Sequence, residues 1–141
     1  MSPRVSRYQT QWSAQFFAAA ELTRRGYLVS LTLGNAPVVD LLAISPAGQH
    51  FQVDVKGLSS KNFWLIRERE CPADLFFILV YVPLKGDHPQ FFIISAGTVM
   101  AEIRSLREET LRKRKKWTLW GAGLNWGTAA AFRDRWDLLP Q

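Results

Sequence analysis

Two apolar runs joined by a four-residue turn constrain this chain most, because each run carries a carboxylate. The first reads Val38-Val39-Asp40-Leu41-Leu42-Ala43-Ile44, the turn is Ser45-Pro46-Ala47-Gly48, and the second runs from Gln49 to Lys56. In the second run Phe51, Val53 and Val55 alternate with Gln52, Asp54 and Lys56, the period of a strand with one buried face. The turn length makes the two runs a hairpin. Strand residues two apart project from the same face, so Asp54 and Lys56 point together while Val53 and Val55 point into the opposite layer. A carboxylate inside an apolar run is expensive to bury unless a cation or hydrogen bonds offset its desolvation. With the two runs paired, Asp40 and Asp54 can converge near one end of the hairpin.

The remaining chain supplies helices and strands around that hairpin. Thr10 to Arg25 has a helical pattern, with Trp12, Phe16, Ala19 and Ala20 at helical spacing and Gly26 placed to end it. Tyr27 to Leu33, Leu75 to Val82 and Phe91 to Ile94 read as further strands, the last two joined by a polar loop. Val99, Ile103, Leu106 and Leu111 give a second helix from Thr98 to Lys116, ending in the run Arg112-Lys113-Arg114-Lys115-Lys116. No secondary structure is evident in the tail that carries Trp117, Trp120, Trp126 and Trp136. Helix, strands, helix in that order predict an α/β domain with a central mixed sheet flanked by helices. With 141 residues and neither an internal repeat nor a linker-like stretch, residues 1–141 form a single domain in this reading.

Two carboxylates and a backbone carbonyl suit a hard divalent ion such as Mg2+, which fills its other positions with water and phosphate oxygens. Such an ion lowers the pKa of a bound water and neutralises charge on a phosphodiester in its transition state. An ammonium at Lys56 would orient the attacking water or steady the pentavalent phosphate. The same alternation also suits the solvated face of an edge hairpin, with Asp54 and Lys56 as a weak surface pair.

The stretch from Val38 to Gly57, VVDLLAISPAGQHFQVDVKG, resembles the central motif of the PD-(D/E)xK nuclease superfamily, with Asp40 matching the first acid, Asp54 the second and Lys56 the lysine. Many members carry a glutamate on the preceding helix, and Glu21 stands where it would. The order helix, Arg-Gly-Tyr, strand, Asp strand and DxK strand is similar to that of small Holliday-junction-resolvase-like nucleases. The resemblance spans Ser13 to Trp64. It departs from the pattern before Asp40, where Val39 replaces the proline and Pro37 lies three residues upstream. The resemblance implies a restriction-endonuclease-like fold and a DNA endonuclease using Mg2+ or Mn2+. Asp40, Asp54 and Glu21 would be metal ligands, Lys56 would act on water, and a homodimer would cut two strands symmetrically. Glu21 also lies four residues before Arg25, the spacing of a helix-surface salt bridge.

A formal net charge of +6 favours a polyanionic partner. Lys61, in the polar loop with Ser59 and Ser60, and Arg112, Lys113, Arg114, Lys115 and Lys116 are candidate phosphate contacts, although a charged helix end is also simply solvated. Gln52 shares the face of Asp54, and a solvated glutamine is its plainer reading. The tryptophans suit core packing or a subunit interface better than base stacking. His50 and His88 lack partner spacing, and the single cysteine, Cys71, forms neither an internal disulfide nor a zinc pattern. No apolar run reaches the roughly 18 residues of a membrane helix and no signal-peptide pattern is present, so a cytoplasmic protein with no membrane partner and no small-molecule cofactor is expected. Two other classes fit the residues: a non-catalytic DNA-binding module of the same fold, and a structural subunit docking through the Trp-rich tail.

Overall fold

The computed structural model describes residues 5–32, 39–118 and 122–141. Helix α1 spans Arg7–Arg24. It begins three residues before the apolar pattern does, because Ser6 and Gln9 form a capping box: the Gln9 N–H donates to Ser6 Oγ at 3.1 Å, and the Ser6 N–H donates to Gln9 Oε1 at 2.9 Å. It ends as the sequence indicates, with Gly26 at φ +94° and the Gly26 and Tyr27 N–H groups donating back to the carbonyls of Thr23 and Leu22.

Strands β1 (Leu28–Leu31), β2 (Leu41–Ile44), β3 (His50–Leu58), β5 (Leu75–Tyr81) and β6 (Gln90–Ser95) form one mixed sheet in the order β1-β2-β3-β5-β6. Only β3 and β5 run parallel. The expected hairpin is present: Gly48 takes φ +92°, its N–H donates to the Ser45 carbonyl, and Leu41 pairs with Val53. Leu33 and Val38, at the ends of two expected strands, lie outside the described residues. The short β4 (Phe63–Leu65) pairs antiparallel with β7 (Gly123–Asn125). Three-residue strands leave no periodic signal, so neither was legible in the sequence.

One sheet face packs against α1 through Leu41, Phe51, Val53, Val55 and Ile78. The other packs against α2 (Ala96–Arg112), together with Trp64, Phe77, Phe92 and Ile94. α2 starts at a Ser95 cap, whose Oγ accepts from the Thr98 N–H. It ends at Arg112, with Arg114 at φ +56°, so Lys113 to Lys116 lie past the helix and not in its last turn. Trp126, at the start of α3 (Trp126–Ala130), stacks on Trp64 with ring centroids 5.6 Å apart, and Trp136 is buried in a closing 3-10 turn beneath the Arg25 guanidinium. Trp136 is thus buried and Trp126 half-buried in packing contacts; Trp117 is half-buried against the α2-side core, and Trp120 lies outside the described residues. No helix among the described residues is long and apolar enough to cross a membrane.

The buried face of α1 differs from the aromatic spacing. Ala14, Ala18 and Leu22 face the core, while Tyr8, Trp12 and Phe16 form an outward ladder with Phe16 56% exposed. The reason lies in β3. A Cβ on Gly57 would sit 2.8 Å from the Ala14 Cβ and 2.9 Å from the Thr10 carbonyl oxygen, so helix and strand touch too closely for an aromatic between them. Gly57→Ala is therefore expected to destabilise the fold by about 1–3 kcal/mol through overpacking, measured by urea unfolding.

Candidate active site

The site forms where the sheet opens. β2 begins at Leu41, opposite Val53, whereas β3 continues to Leu58. Past Val53 the β2-facing edge of β3 has no strand partner, and buried backbone groups there need other ones. Two side chains supply them. The Val55 N–H donates to Asp40 Oδ2 at 2.8 Å, Gln11 Nε2 donates to the Val55 carbonyl at 2.6 Å, and the Gly57 N–H donates to Gln11 Oε1 at 3.0 Å. Asp40 is itself fixed by backbone: its N–H donates to the Val53 carbonyl and its carbonyl accepts from the Thr32 N–H, each at 3.0 Å.

Asp54 is 6% exposed and faces the α2 side, opposite Val53 and Val55. Its Oδ1 lies 3.3 Å from Lys56 Nζ, so the strand pleat does bring this pair together. Its Oδ2 accepts from Arg69 Nη2 at 2.9 Å. Among the described residues Asp40 has no such cation in contact. Burial pushes its carboxyl above the usual carboxylate range; the Val55 N–H pulls it down, the neighbouring Asp54 carboxylate pushes it up, and Lys56 pulls it down. The two carboxylates thus lie near enough to repel, and among the described residues Lys56 and Arg69 make ion-pair contact with Asp54 alone.

Glu21 is not brought to this pair. It is gripped by Arg24 at 2.6 Å and Arg25 at 2.9 Å, which holds its carboxyl below the usual range. It also sits ten residues along α1 from Gln11, about 15 Å of helix. The expectation that Glu21 ligates metal is corrected accordingly: it is a helix-surface ion pair. Among the described residues no group of three or more His, Cys, Asp or Glu side chains converges. Gln11 occupies the helix position that faces the site, a residue the sequence reading passed over because an uncharged side chain on a polar helix turn carries no signal. Arg69 was missed too, since it reaches Asp54 from an irregular segment between β4 and β5.

The outlying candidates divide. Lys61 Nζ lies 5.5 Å and 5.4 Å from the ring centroids of Tyr81 and Trp126, a cation–π contact at an exposed position. Ser59 and Ser60 line a cleft of about 480 Å³ with Arg7, Gln11, Lys56 and Asn62, and among the described residues no acidic side chain lines it. Gln52 donates to Asp74 at 3.1 Å. Arg112 to Lys116 are all exposed, with Lys113 paired to Glu109 at 3.0 Å.

The donors suit a hard divalent ion. Asp54 Oδ1 is buried and makes no hydrogen bond among the described residues, with only the Lys56 ammonium 3.3 Å away, Asp40 keeps a raised pKa beside it, and the Val55 carbonyl lies on the same open edge. Two carboxylates and one carbonyl match an ion that keeps several waters. Comparison of the chain with protein-family models, with curated proteins and with solved structures finds no match in any of the three.

Since burial raises the Asp40 pKa, its ionised form opposes folding when no ion is bound. A folded pKa raised above the unfolded value favours the folded state fully below the unfolded pKa, and this is lost as pH rises through the folded pKa. Asp40→Asn keeps an acceptor for the Val55 N–H and removes the charge. In EDTA it is expected to melt higher than wild type at neutral pH, with the gap closing as pH falls through the raised folded pKa towards the ordinary carboxylate value, and gone below it. Thermal melts across pH check this.

Proposed function

We propose that this chain is a divalent-metal-dependent endonuclease that hydrolyses phosphodiester bonds in DNA, built on a restriction-endonuclease-like fold. The observation that carries the reading is the convergence of Asp40, Asp54 and Lys56 on the open edge of β3, with Asp54 Oδ1 buried and making no hydrogen bond among the described residues. Asp40 and Asp54 are the residues that would hold Mg2+ or Mn2+, with the Val55 carbonyl as a third oxygen. The ion supplies a more acidic bound water and neutralises charge on the phosphodiester. Lys56 has a side chain about a third exposed, enough for Nζ to reach the attacking water or a non-bridging oxygen while tethered to Asp54. Gln11 fixes the Val55 peptide and so the spacing of the two acids. The acid-free cleft beside Lys56 takes the DNA strand, with Arg7, Ser59 and Ser60 able to donate to phosphate. The exposed run Arg112 to Lys116 and Lys61 add backbone contacts farther out. Double-strand chemistry from one site per chain further implies a homodimer, by analogy with the family the motif resembles.

One observation favours a second reading. Arg69 already neutralises Asp54, and Gln11 already occupies the Val55 carbonyl, which also suits a DNA-binding module of this fold that never takes an ion.

Cleavage separates the two. Branched, single-stranded and duplex DNAs incubated with Mg2+, Mn2+ or EDTA are expected to be cut only with metal. Asp54→Asn and Lys56→Ala should each lower the rate by at least about a hundredfold, the scale of losing one transition-state contact, while DNA binding persists. Metal-dependent activity that both variants retain would sink the site assignment, and binding without cleavage under any metal would favour the module.

A further inference from the structure

Arg69 is the charged group in this site to which hydrolysis assigns no role, and its geometry is built rather than incidental. Its N–H donates to Met100 Sδ at 3.3 Å. The preceding Glu68 is held by Arg107 at 2.7 Å and Arg104 at 3.7 Å, both from α2. So anchored, the guanidinium lies over the Phe77 ring, with Cζ 5.8 Å from its centroid, and puts Nη2 on Asp54 Oδ2. The fit is incomplete. A guanidinium offers a planar fork matched to two oxygens of one anion. Here it meets a single oxygen of Asp54, and Nη1 is buried with no acceptor among the described residues. A buried charged donor left unpaired is costly, and the two non-bridging oxygens of a phosphodiester match such a fork.

We propose that Arg69 is a placeholder cation that neutralises Asp54 while no divalent ion is bound and moves to a phosphate oxygen of the nucleic acid once ion and substrate are present; this rests on the metal-nuclease reading above. Like charges a few ångströms apart repel strongly in a partly desolvated site, so Arg69 on Asp54 and an ion on Asp54 compete. The competition weakens ion binding to the free protein. A phosphate that accepts from Arg69 relieves it, so ion and nucleic acid each strengthen the binding of the other, and by the same factor.

Calorimetric titration of Mn2+ into the DNA-free protein tests this. Arg69→Met, which keeps length and removes charge, is expected to bind Mn2+ at least about tenfold more tightly than wild type. Arg69→Lys, which keeps the charge, should stay near wild type. Duplex DNA binding in Ca2+ should weaken several-fold in Arg69→Met. An Arg69→Met protein with a wild-type melting profile that binds Mn2+ no more tightly overturns the placeholder and leaves the metal site standing. Wild type that binds no Mn2+, or Asp54→Asn that binds it equally well, overturns both. Should Arg69→Met fail to fold, the Arg69 Nε–H resonance of wild type is expected to shift on saturation with Mg2+, and an unmoved resonance overturns the proposal.

Discussion

The hydrogen bond from the Val55 N–H to the Asp40 carboxylate joins the two strands at the point where their backbone pairing stops. A sheet edge that opens inside a packed domain leaves amides that must be satisfied or pay desolvation. Here a side chain from the end of β2 and one from α1 take over that pairing, Asp40 on the N–H and Gln11 on the carbonyl. The same contacts fix the positions of both carboxylates, since Asp54 is the residue preceding the pinned peptide. The close seat of α1 on Gly57 follows from it, because Gln11 reaches the strand only if the helix lies against it.

The two carboxylates and two cations of the site are balanced in number and uneven in placement. Lys56 and Arg69 both attend Asp54, and Asp40 has a single N–H. Breaking a partly buried pair by removing one partner leaves the other charge uncompensated. Neutralising Asp54 therefore strands two cations, whereas neutralising Asp40 strands none. Such unevenness is a poor arrangement for stability alone. It is a natural one for a site that is to accept an additional positive charge on the proposed reading.

Much of the local structure was legible because it is periodic or punctuated. The hairpin of β2 and β3, the shared face of Asp54 and Lys56, the end of α1 at Gly26 and the two long helices all follow from strand and helix periods and from glycine chemistry. What was not legible depends on tertiary contact. The aromatic spacing of Trp12 and Phe16 indicated a buried stripe, but the close approach at Gly57 turned the alanine face inward. Glu21 had the right charge on the right helix, yet two arginines one turn away hold it at the far end. Gln11 and Arg69 reach the site through sequence separations of 44 and 15 residues respectively, which no local pattern encodes. Of the residues that carry the resemblance to PD-(D/E)xK nucleases, the fold brings Asp40, Asp54 and Lys56 together and leaves Glu21 apart, and the function drawn from it stands as a proposal.

The central claim is that Asp40 and Asp54 form a divalent-cation site. Anomalous diffraction from crystals soaked in Mn2+ addresses it without reference to activity. The expected result is one anomalous peak per chain within coordination distance of both carboxylates, roughly 2.0–2.2 Å for a small hard ion bound by oxygen, absent from Asp54→Asn crystals grown in the same way. A map without a peak at saturating Mn2+, with Arg69 still on Asp54, would contradict it.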